Sequence, residues 1–160
     1  MTAHTGILFA MHVSDGGVPK TAIAAGRVGT GGLEGDRQEN LKHHGGPDRA
    51  LCLLGLDAIE RLAAEGHPIT PGSTGENLTL AGIHWGDLTA GQRLLFSEGV
   101  ELELTQPAVP CRNIAASFQR GDFPRMHAEK HPGETRHYCR VLRGGQLTMG
   151  ESFQVLGARS

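Results

Sequence analysis

Glycine and proline interrupt this chain so often, 24 and 8 times in 160 residues, that long regular helices have little room to form. Glycine weakens a helix interior and proline breaks it, so the stretches between them set the architecture. Most of those stretches carry strand character: Gly6 to Val13, Thr21 to Val28, Ala50 to Leu54, Asn77 to Leu80, Arg93 to Ser97, Val100 to Thr105, His137 to Leu142 and Ser152 to Leu156. Turn signals such as Gly86-Asp87, Glu98-Gly99 and Arg143-Gly144-Gly145 separate several of them. The runs on either side of Glu98-Gly99 read as a hairpin. Val100, Leu102 and Leu104 alternate there with Glu101 and Glu103, which predicts one buried and one solvated face.

Helices are few. Asp57 and Glu60 have the form of a capping box, Ile59, Leu62 and Ala63 fall on one side, and Gly66 and Pro68 supply the stop. A second short helix is expected from about Arg112 to Gln119, and a third short turn from Pro124 through His127. No repeat or linker divides the chain, which reads as one mainly β, barrel-like domain over residues 1–160.

A net charge of −2 without a basic run argues against a nucleic-acid surface. No apolar run reaches the ~18 to 20 residues of a membrane span, so no membrane role is expected and the default location is cytoplasmic. Cys52, Cys111 and Cys139 form no CxxC pair and fit neither a disulfide framework nor a thiolate zinc site.

Several stretches can carry chemistry. Residues Gly29 to Arg49 are dense in glycine and charge, and Arg37, Lys42 and Arg49 could meet a phosphate; an irregular loop with solvated charges is the alternative. His43 and His44 are adjacent and face opposite ways on extended backbone, which disfavours a shared metal, and His127, His131 and His137 form a looser cluster. In Pro71 to Leu78, Glu76 and Asn77 either close a turn or orient a ligand or a neighbouring loop. Cys52 and Cys139 lie in apolar strand patterns and read as small buried hydrophobes. Cys111 differs. It follows Pro110 at a strand end, precedes Arg112 and an expected helix start, and so sits where a thiolate is stabilised to act as nucleophile, persulfide carrier or soft metal ligand.

Gly35-Asp36-Arg37, His44-Gly45-Gly46-Pro47-Asp48-Arg49, Gly75-Glu76-Asn77-Leu78, Gly86-Asp87, Pro110-Cys111 and Arg140-Val-Leu-Arg-Gly-Gly145 together, and in this order, resemble the MOSC domain. This family is named after the C-terminal domain of molybdenum cofactor sulfurases, and the likeness, to its small stand-alone bacterial members, runs from about Gly16 to Leu156. The resemblance implies a β-barrel-like fold. It implies that Cys111 ligates the molybdenum of a molybdopterin cofactor, or alternatively carries sulfur as a persulfide in a carrier or cofactor-delivery module. Asp36, Arg37, His44, Gly45, Gly46 and Arg49 would then build or support the pocket, with Arg37 and Arg49 candidates for the cofactor phosphate. Glu76 and Asn77 would line or brace it, and Asn113 would hold the loop that presents Cys111. The implied activity is reduction of small N-hydroxylated molecules with electrons from a partner protein; in the sulfur-carrier alternative, a desulfurase supplies sulfur. Pyridoxal phosphate belongs to the full-length sulfurases, and no site for it is recognisable in this chain. The family's C-terminal motif often ends Gly-Asp where this chain has Gly150-Glu151, a difference expected to change only a local turn.

Overall fold

The structure, a computed structural model, describes residues 4–16, 18–36 and 46–157. In chain order its strands are β1 (His4–Val13), β2 (Thr21–Ile23), β3 (Ala25–Gly29), β4 (Gly32–Leu33), β5 (Leu51–Gly55), β6 (Leu78–Ala81), β7 (Arg93–Phe96), β8 (Glu101–Pro107), β9 (His137–Arg143), β10 (Gly145–Thr148) and β11 (Ser152–Leu156), and α1 (Leu56–Ala64) lies between β5 and β6. Seven strands pair in the order β11-β7-β8-β9-β5-β6-β1, and β1 closes back onto β11, so the sheet is a closed barrel. Closure leaves the ring itself without an open edge.

Every pairing in the ring is antiparallel except β5 with β6, whose parallel register needs the crossover that α1 provides. The ten residues of β1 serve three neighbours. Residues His4 to Ile7 pair with β11, Ile7 to Met11 with β6, and Met11 to Val13 with β2. A bulge between Leu8 and Ala10 shifts the register, and beyond it Met11 and His12 are both buried on opposite sides of the strand. Outside the barrel, β10, β3 and β4 form a small second sheet.

The interior is filled by alternate residues of the strands, among them Leu8, Leu51, Leu53, Leu80, Leu94, Leu102 and Val155. Phe96 and Phe153 meet at 5.2 Å between ring centroids. Gly6 allows that packing: a Cβ there would lie 2.4 Å from the Phe153 ring and 2.6 Å from the Ala81 carbonyl.

The structure corrects several expectations. Gly55, not a polar side chain, is the N-cap of α1, and Asp57 sits inside the first turn, where its carboxylate accepts from the N–H groups of Ala58 and Trp85. Ala58, Ile59 and Leu62 form the buried face, while Ala63 is exposed. The expected strand from Thr21 to Val28 is broken at Ala24 into β2 and β3, which join different sheets. The helix expected after Cys111 is two 3-10 turns, Arg112–Ser117 and Gln119–Gly121. Glu103, expected in solvent, is 9% exposed because Arg140 of β9 reaches across to its carboxylate at 2.5 Å. Among the described residues no helix is long and apolar enough to cross a membrane.

Candidate functional site

At one end of the barrel, β8 leaves and β9 enters, and their register puts three side-chain positions in a row. Gln106 of β8 is opposite Tyr138 of β9, and Tyr138 is opposite Cys52 of β5. Cys52, Tyr138 and Ala108 pack together as a small buried cluster apart from the main core. Ala108 begins the loop that leads through Pro110 to Cys111, and residues 135 and 136 pin it: the Ala108 N–H donates to the Arg136 carbonyl at 2.9 Å and the Thr135 hydroxyl donates to the Ala108 carbonyl at 3.4 Å.

Cys111 occupies the position before the 3-10 turn Arg112–Ser117, in extended backbone, and its carbonyl accepts from Ile114 at 3.1 Å. Its thiol is free and half-buried, whereas Cys52 and Cys139 are sealed in the protein. Burial pushes the Cys52 thiol up to about 11 and the Cys139 thiol upward as well, so both stay protonated near neutrality. Burial, reinforced by neighbouring Cys52 and more weakly by Cys111, also raises Tyr138, whose phenol remains neutral.

A polar cluster supports the same end of the barrel. Asn77 is fully buried; its Oδ1 accepts from the Cys52 N–H at 3.0 Å, and its Nδ2 donates to the His12 carbonyl at 3.2 Å and to Asp36 Oδ2 at 2.9 Å. Asp36 is also paired with Lys20, their side chains only 4% and 6% exposed, and accepts from the Ser14 N–H. Glu76 is buried rather than solvated. Its carboxylate accepts from the Gly72 N–H at 2.9 Å and from the hydroxyls of Thr74 and Thr79, which ties down the turn preceding β6. Gly72 has a φ of 83° and lies against the His12 ring, where a Cβ would come within 2.5 Å of the imidazole. Burial lowers the pKa of His12, keeping this imidazole neutral beside Lys20.

Residues 46–49 are anchored to β8 and β9. The Thr105 hydroxyl donates to the Asp48 carbonyl, and Arg140 donates to the Asp48 carboxylate at 2.8 Å while also holding Glu103. The Arg49 guanidinium lies 5.8 Å from the centre of the Tyr138 ring. With the Gln106 amide oxygen turned toward it, Arg49 donates to Gln106 at 2.8 and 3.2 Å.

Of the residues singled out in the sequence, Asp36, Glu76, Asn77, Arg49 and Cys111 thus converge on one end of the barrel. Gly46, at a φ of 83°, opens the 3-10 turn Pro47–Arg49. Asn113 is exposed and its side chain forms no hydrogen bond among the described residues. Arg37, His43, His44 and Gly45 lie outside the described residues. The sequence reading missed Lys20, Arg136 and Tyr138. A hollow of about 400 Å³ at the turn between β3 and β4, lined by Arg27 to Glu34, contains none of these residues.

The model of the MOSC domain matches residues 40–154, well over half of the chain. The chain belongs to the MOSC family. Its MOSC relatives include the Bacillus subtilis protein YflK, 32% identical over 127 residues, and Escherichia coli YiiM, 31% identical over 129 residues. These matches take in 78% of this chain but 55% and 56% of the relatives, so the chain spans about half the length of the curated MOSC proteins it resembles. Solved structures share the fold. YuaD from Bacillus subtilis superposes with a TM-score of 0.78 at 19% identity, covering 99% of both chains, and YiiM from Geobacillus stearothermophilus gives 0.72 at 24% identity, covering 94% of this chain and 75% of that one.

The MOSC family is associated with binding the molybdenum cofactor, and the residues present fit such a group. Among the described residues no three His, Cys, Asp or Glu side chains cluster as a metal site. Cys111 offers one accessible soft sulfur to such a cofactor. Nearby, Arg136 is 4% exposed and keeps two guanidinium nitrogens that meet no oxygen acceptor among the described residues, a donor set suited to an anionic ligand group.

Proposed function

We propose that this MOSC protein binds the molybdenum cofactor and reduces small N-hydroxylated compounds, with Cys111 as the protein ligand to molybdenum. One observation carries the reading. Among three thiols, Cys111 alone is both free and accessible, and it is displayed on a loop pinned to the mouth of a closed barrel. When bound, the cofactor would supply a metal centre able to pass two electrons.

The net reaction converts R–NHOH, two electrons and two protons to R–NH₂ and water, and the electrons are assigned to a separate donor protein. The chain's own residues hold the centre in place. Residues 135 and 136 fix the base of the Cys111 loop, Tyr138 stays protonated beside it, and Arg49 covers the Tyr138 ring. A buried neutral phenol can donate a hydrogen bond at neutral pH but cannot act there as a base.

The test is elemental analysis of wild type beside Cys111→Ser, both produced in a host that makes the cofactor. Molybdenum is expected in wild type and at least tenfold less in the variant, with reductase activity lost in parallel. Equal molybdenum in both proteins would remove Cys111 from the metal. No molybdenum in either, together with sulfur added to Cys111 by a desulfurase and seen by mass spectrometry, would replace this reading with the sulfur-carrier one.

A further inference from the structure

The Arg136 side chain is a buried charge that forms no ion pair among the described residues. It stands just before β9, on the same side of the chain as Tyr138 two residues later. One nitrogen, Nη1, donates to the Thr74 carbonyl at 2.7 Å. The other two, Nε and Nη2, are buried and meet no oxygen acceptor among the described residues. The Cys52 thiol does interact with the guanidinium, but a protonated thiol is a weak acceptor and brings no charge to balance it.

Nε–H and Nη2–H are the two parallel donors on one edge of a guanidinium, the edge that grips two oxygens of a carboxylate or phosphate at once. Leaving such donors unmet in the interior is unfavourable, so an anion that satisfies both is bound with that cost relieved. The buried carboxylate nearest in the hydrogen-bond network does not meet them. Glu76 is linked to Arg136 only through Thr74, and its oxygens are engaged by Gly72, Thr74 and Thr79. It therefore balances the charge from a distance and leaves the fork open.

We infer that the Nε–Nη2 edge of Arg136 is an oxyanion site beside the Cys111 loop, taking two oxygens of a phosphate or carboxylate group. That group has two possible sources, the phosphate of the bound cofactor or an acidic substituent of the substrate. The inference stands on the fork's own geometry and does not need molybdenum to be present.

Inorganic phosphate and acetate are the probes, titrated into the full-length protein purified without molybdenum, with the Arg136 Nε–H resonance followed by NMR. A saturable change at Arg136 is expected, accompanied by a rise in melting temperature. Arg136→Met should abolish the stabilisation, and Arg136→Lys, which keeps the charge but loses the fork, should weaken phosphate at least tenfold. Repeating the titration on molybdenum-loaded protein separates the sources: anion binding blocked by loading assigns the site to the cofactor, and binding that persists assigns it to the substrate. An Arg136 resonance that neither anion moves, or an equal thermal shift in Arg136→Met, would overturn the inference. Failure of the molybdenum assay alone leaves it intact, because the wild-type titration uses no metal.

Discussion

Asn77 joins three segments through one side chain: β5 at Cys52, β1 at His12 and the turn carrying Asp36. Removing the amide in Asn77→Ala leaves a buried N–H and a buried carboxylate short of partners, so a loss of about 2–4 kcal/mol is expected in urea unfolding. Asn77→Asp should cost more at neutral pH, since it sets a second carboxylate against Asp36. Cys111→Ala offers the contrast. The thiol is half-buried and caps nothing, so its midpoint should stay within ~0.5 kcal/mol of wild type, and any functional loss there would report on chemistry rather than folding. Cys111 was legible in the sequence because its proline, arginine and strand end are neighbours in the chain. Arg136 was not, because what singles it out is burial against Thr74, 62 residues away, and no local pattern records that.

The hairpin of β7 and β8 was readable because Glu98-Gly99 supplies the turn and the alternation supplies the face. Gly99 takes a φ of 105° there, and Phe96 and Val100 close the loop through backbone hydrogen bonds. Strands β4 and β10 were not readable, because Gly32–Leu33 is too short to show any alternation, and Gly145–Thr148 pairs with β3 from the far end of the chain and carries little alternation of its own. The Gly150-Glu151 departure does more than adjust a turn. The Glu151 carboxylate accepts from Thr148 N–H at 2.7 Å in its own turn and from the Ser97 hydroxyl and Glu98 N–H in the β7–β8 turn. Glu151→Ala should therefore cost about 1–2 kcal/mol, measured as a shift in denaturation midpoint at unchanged slope. Gly55 tests the join between β5 and α1. Its backbone is ordinary, with φ −78°, but a Cβ would meet the Trp85 side chain at 2.3 Å, so Gly55→Ala should lose about 1–3 kcal/mol by overpacking and alter the emission of Trp85, the chain's only tryptophan.

For the molecule as a whole, two buried histidines make stability depend on pH. His12 and His137 both have lowered pKa values, caused first by burial; at His12 the opposing influence of Glu76 is outweighed, and Lys20 adds to the lowering. In the unfolded chain each titrates near ~6.5. Above that value both states are neutral and the histidines contribute no slope. Below it the unfolded chain takes up protons that the native state refuses, so stability falls as pH falls, by up to about 1.4 kcal/mol per pH unit for each histidine, until the native pKa values are reached. Carboxylates act lower. Glu65 is held down by Arg125, and at Glu134 burial opposes ionisation but Arg125 and Arg61 outweigh it, so their contributions are lost only as pH falls below the ordinary carboxylate range, about 4.3. Between about pH 6.5 and 5 the decline should therefore belong mainly to the two histidines. His137 meets the Trp85 ring edge-on at 5.6 Å, which makes tryptophan fluorescence a direct probe. His137→Phe keeps an aromatic ring there and removes the titration, so it should roughly halve the slope of unfolding free energy against pH, while the His12→Gln, His137→Phe pair should nearly flatten it. Urea unfolding at several pH values from 7.5 to 5 decides the matter, and wild-type stability that holds constant or rises on acidification would show that these imidazoles accept protons without unfolding.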